Sequence, residues 1–149
     1  MWGCAAHSGR TTHPSEVPQG TATTTVLSVL DHVGINVSDF AAARAFYVAA
    51  LEPLGIRPLM EFATSAGFGD ERKPYFWIHE RGTPTPSAHI AFACPDRATV
   101  DAFHAAALIA GGRDNGSPGT RDYHEHYYGA FVLDPDGNNV EAVCHRPYG

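Results

Sequence analysis

Two stretches decide the fold: His32-Val-Gly-Ile-Asn-Val-Ser-Asp39 and His89-Ile-Ala-Phe-Ala-Cys-Pro-Asp96. Each opens on histidine, alternates apolar residues and closes on aspartate. From position 32 to position 89 the offset is 57, and the match continues at that offset. Ala45/Ala102, Phe46/Phe103, Ala49/Ala106, Leu51/Leu108 and Gly55/Gly112 are identical pairs. A fixed-offset match indicates one small unit built twice. The two histidines then occupy equivalent, pseudo-symmetric places and form half of a candidate metal site.

Residues 26–37 alternate as a strand does. Val33, Ile35 and Val37 point one way; His32, Gly34 and Asn36 point the other. Ser38-Asp39 offers an N-cap, and residues 40–51 read as a helix that Pro53 and Gly55 stop. In the second copy Ile90, Phe92 and Cys94 oppose His89, Ala91 and Ala93. Pro95-Asp96 starts a helix that presents Val100, Phe103 and Ala107 on one face, and Gly111-Gly112 ends it. Shorter extended pieces follow at 57–62 and 75–79, then at 127–133 and 139–145. The turn Asp134-Pro-Asp-Gly137 joins the last two as a hairpin. The predicted class is α+β: two βαβββ modules, about residues 26–80 and 87–145, whose curved mixed sheets surround a cleft. Residues 1–25 are rich in Thr, Ser, Gly, Pro and His without apolar periodicity. They are expected to be a flexible extension, or the product of an upstream start codon, and not a secretory signal.

The chain has 149 residues, enough for one domain with a real core. A net charge of −6 gives nucleic-acid binding no electrostatic support. No basic amphipathic stretch or membrane-length apolar run points to a membrane. The cysteines are Cys4, Cys94 and Cys144, an odd count without metal-type spacing. Reduced thiols in a cytoplasmic protein are the expectation.

The chemistry follows from strand faces. The apolar faces of both opening strands must meet the helices, which leaves His32 and His89 on the open side of the sheet. In the closing strand Val140, Ala142 and Cys144 alternate with Asn139, Glu141 and Val143, so Glu141 shares the histidines' side. Two imidazoles and a carboxylate suit a divalent Fe, Mn, Ni, Co or Zn ion and leave coordination positions for a small-molecule substrate. Within Tyr123-His-Glu-His-Tyr-Tyr128, His124 and His126 share a face if the segment is extended. There they are candidate proton carriers or solvent-exposed loop residues. The same alternation lets Tyr127 or Tyr128, but not both, face the cleft. Trp77 is a pocket wall or a core residue, and His79 follows its parity. Arg121 is a candidate for an acidic substrate or a surface residue. His104, on a helix at the position of Tyr47, is expected at the surface.

Together the His32 stretch, the His89 strand and Asp134-Pro-Asp-Gly-Asn-Asn-Val-Glu141 resemble the vicinal oxygen chelate superfamily. That group includes glyoxalase I, bleomycin-resistance proteins, fosfomycin-resistance enzymes, methylmalonyl-CoA epimerase and extradiol dioxygenases. The resemblance spans about residues 26–145. It implies a glyoxalase-like fold, a metal held by His32, His89 and Glu141, and substrates that chelate it through neighbouring oxygens. Relatives close the cleft within one chain or share modules between two, and a homodimer is the expectation here. One departure concerns the second glutamate that glyoxalase I supplies from its first module. The counterpart of Glu141 falls near Phe76, Trp77 or Ile78, where no carboxylate stands, and Glu80 sits at the strand's end. The remaining two-His-one-carboxylate set is similar to that of extradiol dioxygenases. The expected function is a metal-dependent enzyme of isomerase, lyase or ring-cleaving dioxygenase type. The alternative is a non-enzymatic small-molecule binding protein of the bleomycin-resistance kind, associated with antibiotic resistance.

Overall fold

The computed structural model describes residues 30–147. Positions 26–29 of the predicted first strand, and the whole predicted extension, lie outside them. Within this range the duplication is complete. The first module contains β1 (Val33–Asn36), α1 (Phe40–Leu51), β2 (Arg57–Phe62), β3 (Ser65–Gly69) and β4 (Pro74–His79). The second contains β5 (His89–Ala93), α2 (Arg97–Ile109), β6 (Arg113–Thr120), β7 (Tyr128–Leu133) and β8 (Asn139–Cys144). The sheet orders are β1-β4-β3-β2 and β5-β8-β7-β6, the same arrangement twice. In each, the first strand runs parallel to the last and the other pairings are antiparallel.

Both helices start where the sequence places a cap. Asp39 accepts the backbone N–H of Ala42 at 2.9 Å, and Asp96 accepts that of Thr99 at 2.8 Å. Each bond satisfies one of the amides that a helix start leaves unpaired. α1 buries Phe46, Tyr47, Ala50 and Leu51, while α2 buries Val100, Phe103 and Ala107. These side chains join Ile35, Phe68, Phe76, Ile78, Phe92 and Val140 in one core cluster, so both helices cover the apolar faces of the sheets. No helix of the described residues is long and apolar enough to cross a membrane.

A polar node ties the modules together. The Tyr47 hydroxyl donates to Asp134 Oδ2 at 2.7 Å, and Asp134 is only 2% exposed. Asp134 also accepts the backbone N–H groups of Asp136 and Asn138 and the side-chain amide of Asn138. The turn predicted as a hairpin connector therefore also anchors the first helix. Burial, and then the neighbouring Asp134 charge, push the Tyr47 phenol well above its usual value.

His104 corrects an expectation. It is 9% exposed, not at the surface, and its Nε2 lies 2.9 Å from Asp114 Oδ1. The repeat itself carried the signal, because His104 occupies the place of Tyr47, which is fully buried.

Cys94 lies in the core, and burial pushes its thiol up to about 11. The thiolate is the reactive species. Cys94 is therefore expected to resist alkylation near neutral pH and to react as pH approaches 11 or once the chain unfolds. Mass-resolved iodoacetamide labelling checks this; rapid labelling of folded protein at neutral pH would contradict it.

Candidate functional site

The parallel strand pairs set the geometry. In the second module Ala91 lies opposite Glu141, and in the first module Gly34 lies opposite Trp77. Because Gly34 and Ala91 are repeat equivalents, Trp77 stands where the second module has Glu141. The core takes Phe76 and Ile78, which leaves Trp77 and His79 on the open face.

Glu141 is 1% exposed, yet both of its oxygens are engaged. His89 Nε2 lies 2.8 Å from Oε2, and the Tyr127 hydroxyl donates to Oε1. A buried carboxylate needs such donors, since desolvating an unpaired charge is costly. Tyr127 is itself wedged among Tyr123, His124 and His145, whose ring centroids lie 4.9–5.0 Å away. Desolvation, and then the bond to Glu141, push the Tyr127 phenol up to about 12. At neutral pH it is a donor. A Cβ on Gly129 would stand 3.1 Å from Glu141 Oε1 and 3.2 Å from the Tyr127 ring. A glycine at that position leaves room for this contact.

His89, Tyr127 and Glu141 border a hollow of about 470 Å³, together with Asn115, Asn139 and Arg121. Arg121 lies 5.4 Å from the Phe131 ring centroid and donates to the Ser117 and Thr120 carbonyls. Tyr128 faces the other way, its hydroxyl bonded to Asp101. Of the two tyrosines, then, Tyr127 faces the Glu141 hollow. The 121–127 segment is a turn, not an extended run, and His126 adopts φ 61°. His126 pairs with Glu125 at 3.1 Å, and His124 packs on His145. Neither borders the Glu141 hollow.

His32 lies elsewhere. It precedes β1, and its Nδ1 is 2.8 Å from Asp31 Oδ1. Asp31 also binds Lys73, and those contacts hold its carboxyl below the usual range. A histidine whose Nδ1 is held by a carboxylate keeps Nε2 as its remaining donor atom. His32 borders a second hollow, of about 410 Å³, with Gly34, Trp77, His79 and Arg81. Burial, and secondarily Arg81, lower the His79 pKa. Sequence reasoning missed Arg81, although it continues the parity of Trp77 and His79 just past the strand. It also missed Asn115 and Asn139.

Thus one chain brings His89 and Glu141 together and leaves His32 apart. Among the described residues no three of His, Cys, Asp and Glu are grouped to hold a metal ion. His32 and His89 do border one groove of about 560 Å³, which runs along the outer strands β1 and β5.

Two paired βαβββ modules, each a four-stranded mixed sheet covered by one helix, define an α+β class of glyoxalase-like fold. The family model of the glyoxalase/bleomycin resistance protein/dioxygenase superfamily matches residues 29–142, and the chain belongs to that superfamily. It is similar to a glyoxalase/bleomycin resistance protein from Albidiferax ferrireducens T118, with 33% identity and a TM-score of 0.69. That match covers 80% of this chain and 100% of the other. A lactoylglutathione lyase from Agrobacterium tumefaciens shares the fold at 18% identity and a TM-score of 0.60, covering 79% and 94%. A family enzyme from Burkholderia phytofirmans PsJN does so at 21% and 0.61, covering 78% and 98%. No curated protein matches the chain.

Proposed function

We propose that the protein is a metal-dependent enzyme acting on a small oxygen-chelating substrate. His89 and Glu141 supply two ligands and His32 the third. The observation that carries this reading is the convergence of His89 Nε2 and Glu141 Oε2 at 2.8 Å beside an open hollow. A bound cation would take the place of the proton these atoms share, so the donor pair fits a divalent metal. Such a metal would act as a Lewis acid and template on neighbouring substrate oxygens, in isomerase, lyase or ring-opening chemistry.

His32 completes the set in a homodimer, where the first module of a second copy closes over the Glu141 hollow. Two features favour this. β1 and β5 are both outermost strands of their sheets, and the groove along them is lined by apolar residues including Val33, Phe76, Ile90 and Phe92. Apolar grooves attract partners.

Metal titration of stripped protein, with analytical ultracentrifugation, tests the reading. Wild type should bind one divalent ion per chain as a dimer, and His32→Ala and His89→Ala should each lose it. Tight binding that survives both substitutions would sink the assignment. Tyr127→Phe keeps the ring but frees Glu141 Oε1. It is expected to weaken metal binding by roughly 10–100-fold, as loss of an orienting outer-shell contact does. Unchanged affinity would limit Tyr127 to packing.

A second reading has its own support. Both Glu141 oxygens are already satisfied within the chain, as a purely structural carboxylate would be. On that reading the protein sequesters a ligand without metal, in the manner suggested for the bleomycin-resistance kind. Ligand binding unaffected by Glu141→Gln and by chelators would favour it.

A further inference from the structure

We propose that the open face of the first module binds a planar aromatic carboxylate, with Trp77 and His79 as its floor and Arg81 as its anion contact. The proposal rests on reading the cleft as a small-molecule site, and it needs no metal.

The floor is built into the backbone. Trp77 and His79 lie two residues apart on β4 and share its open face. Their ring planes are parallel to 2°, with centroids 5.9 Å apart. Beneath them stand glycines. A Cβ on Gly67 would lie 2.7 Å from Trp77 Cζ2, closer than real contacts allow. A Cβ on Gly34 would lie 3.3 Å from His79 Nε2. The indole therefore covers the bare backbone of β3, and the imidazole reaches over that of β1. Ser65 Oγ, 3.0 Å from His79 Nδ1, fixes the second ring. Such a surface suits stacking by a flat conjugated ring.

Charge supplies the rest. The chain is acidic overall, with a net charge of −6. Yet the hollow over this floor is bordered by His32, Gly34, Trp77, His79 and Arg81, with no acidic side chain among its described lining residues. A guanidinium beside an aromatic floor matches a carboxylate through paired N–H bonds. The volume of about 410 Å³ accommodates a single-ring ligand. In the second module the equivalent of Trp77 is Glu141. The duplicated position thus offers a carboxylate on one side of the fold and a flat apolar ring on the other.

Isothermal titration of metal-stripped protein with 4-hydroxybenzoate tests the site. Cyclohexanecarboxylate carries the charge without the flat ring, and phenol carries the ring without the charge. 4-Hydroxybenzoate should bind at least roughly 10-fold tighter than either, the effect of one stacking or ionic contact. Trp77→Leu and Arg81→Gln should each weaken it by a similar factor, while the exposed control Arg72→Gln leaves it unchanged. Gly67→Ala, which lifts the indole without removing it, should also weaken binding. Equal binding of the three probes, saturable binding indifferent to Trp77 and Arg81, or no heat at the solubility limit would each overturn the proposal. Metal affinity is measured separately. Probe binding without metal affinity removes the enzyme reading and keeps this site; metal affinity without probe binding does the reverse.

Discussion

Glu141→Gln is expected to abolish tight metal binding while leaving the fold intact. The substitution is nearly isosteric, and the amide oxygen still accepts the Tyr127 hydroxyl. The stability change should stay near the roughly 1 kcal/mol of a single hydrogen bond. The loss of metal affinity should exceed the roughly 10–100-fold that removal of an outer-shell group costs, because the anionic donor itself is gone. Competition against a chromophoric chelator, beside a thermal melt, separates these effects. Affinity equal to wild type would take Glu141 out of the ligand set. A collapsed melt would instead mark it as a structural carboxylate.

Phe76→Ala should give the largest loss of stability. Phe76 is 1% exposed, and its ring centroid lies 4.9 Å from that of Tyr47, 6.0 Å from that of Phe68 and 5.5 Å from that of Phe92. Tyr47 and Phe68 belong to its own module, while Phe92 belongs to the other. Emptying this junction removes a large buried side chain and leaves a cavity, at a cost of roughly 3–5 kcal/mol. For a domain of this size that lowers Tm by roughly 10–20 °C. Chemical denaturation measures it; a cost below about 1 kcal/mol would mean that the junction collapses around the gap.

The elements legible in the sequence were those with strong periodicity or punctuation. The sequence marks α1 over its observed span, because Asp39 caps it and Pro53 and Gly55 end it. The βαβββ pattern calls for β3 and β6, but no stretch of sequence marks where they lie, and the reason is physical. Their sequences, Ser-Ala-Gly-Phe-Gly and Arg-Asp-Asn-Gly-Ser-Pro-Gly-Thr, lack alternating bulky residues. Glycine is a poor strand former, so these strands exist by pairing with β4 and β7. The glycines make room for side chains on the open face. Gly67 lies under Trp77, and a Cβ on Gly119 would meet Arg121 Nη1 at 2.8 Å. The features that hid the strands are thus tied to the candidate sites.

The site was legible in part. Strand parity brought Glu141 and His89 to one side, and the structure puts them in contact. Parity cannot measure the distance between modules, so it did not reveal that His32 stands with Trp77 and His79. The tight turn at 121–127 broke the assumption behind His124 and His126, since an extended segment was needed to aim both inward.

The Tyr47–Asp134 bond has a consequence for divisibility. A chain made of two similar halves invites cutting into two small proteins. Here the first half inserts a hydroxyl into a buried carboxylate of the second, and Ser38 N–H donates to Asp136 Oδ2 at 3.0 Å beside it. Either half alone would expose an apolar helix face and lose a partner for a polar group that is now buried. Although the sequence reads as a duplication, the molecule stands or falls as a single indivisible piece.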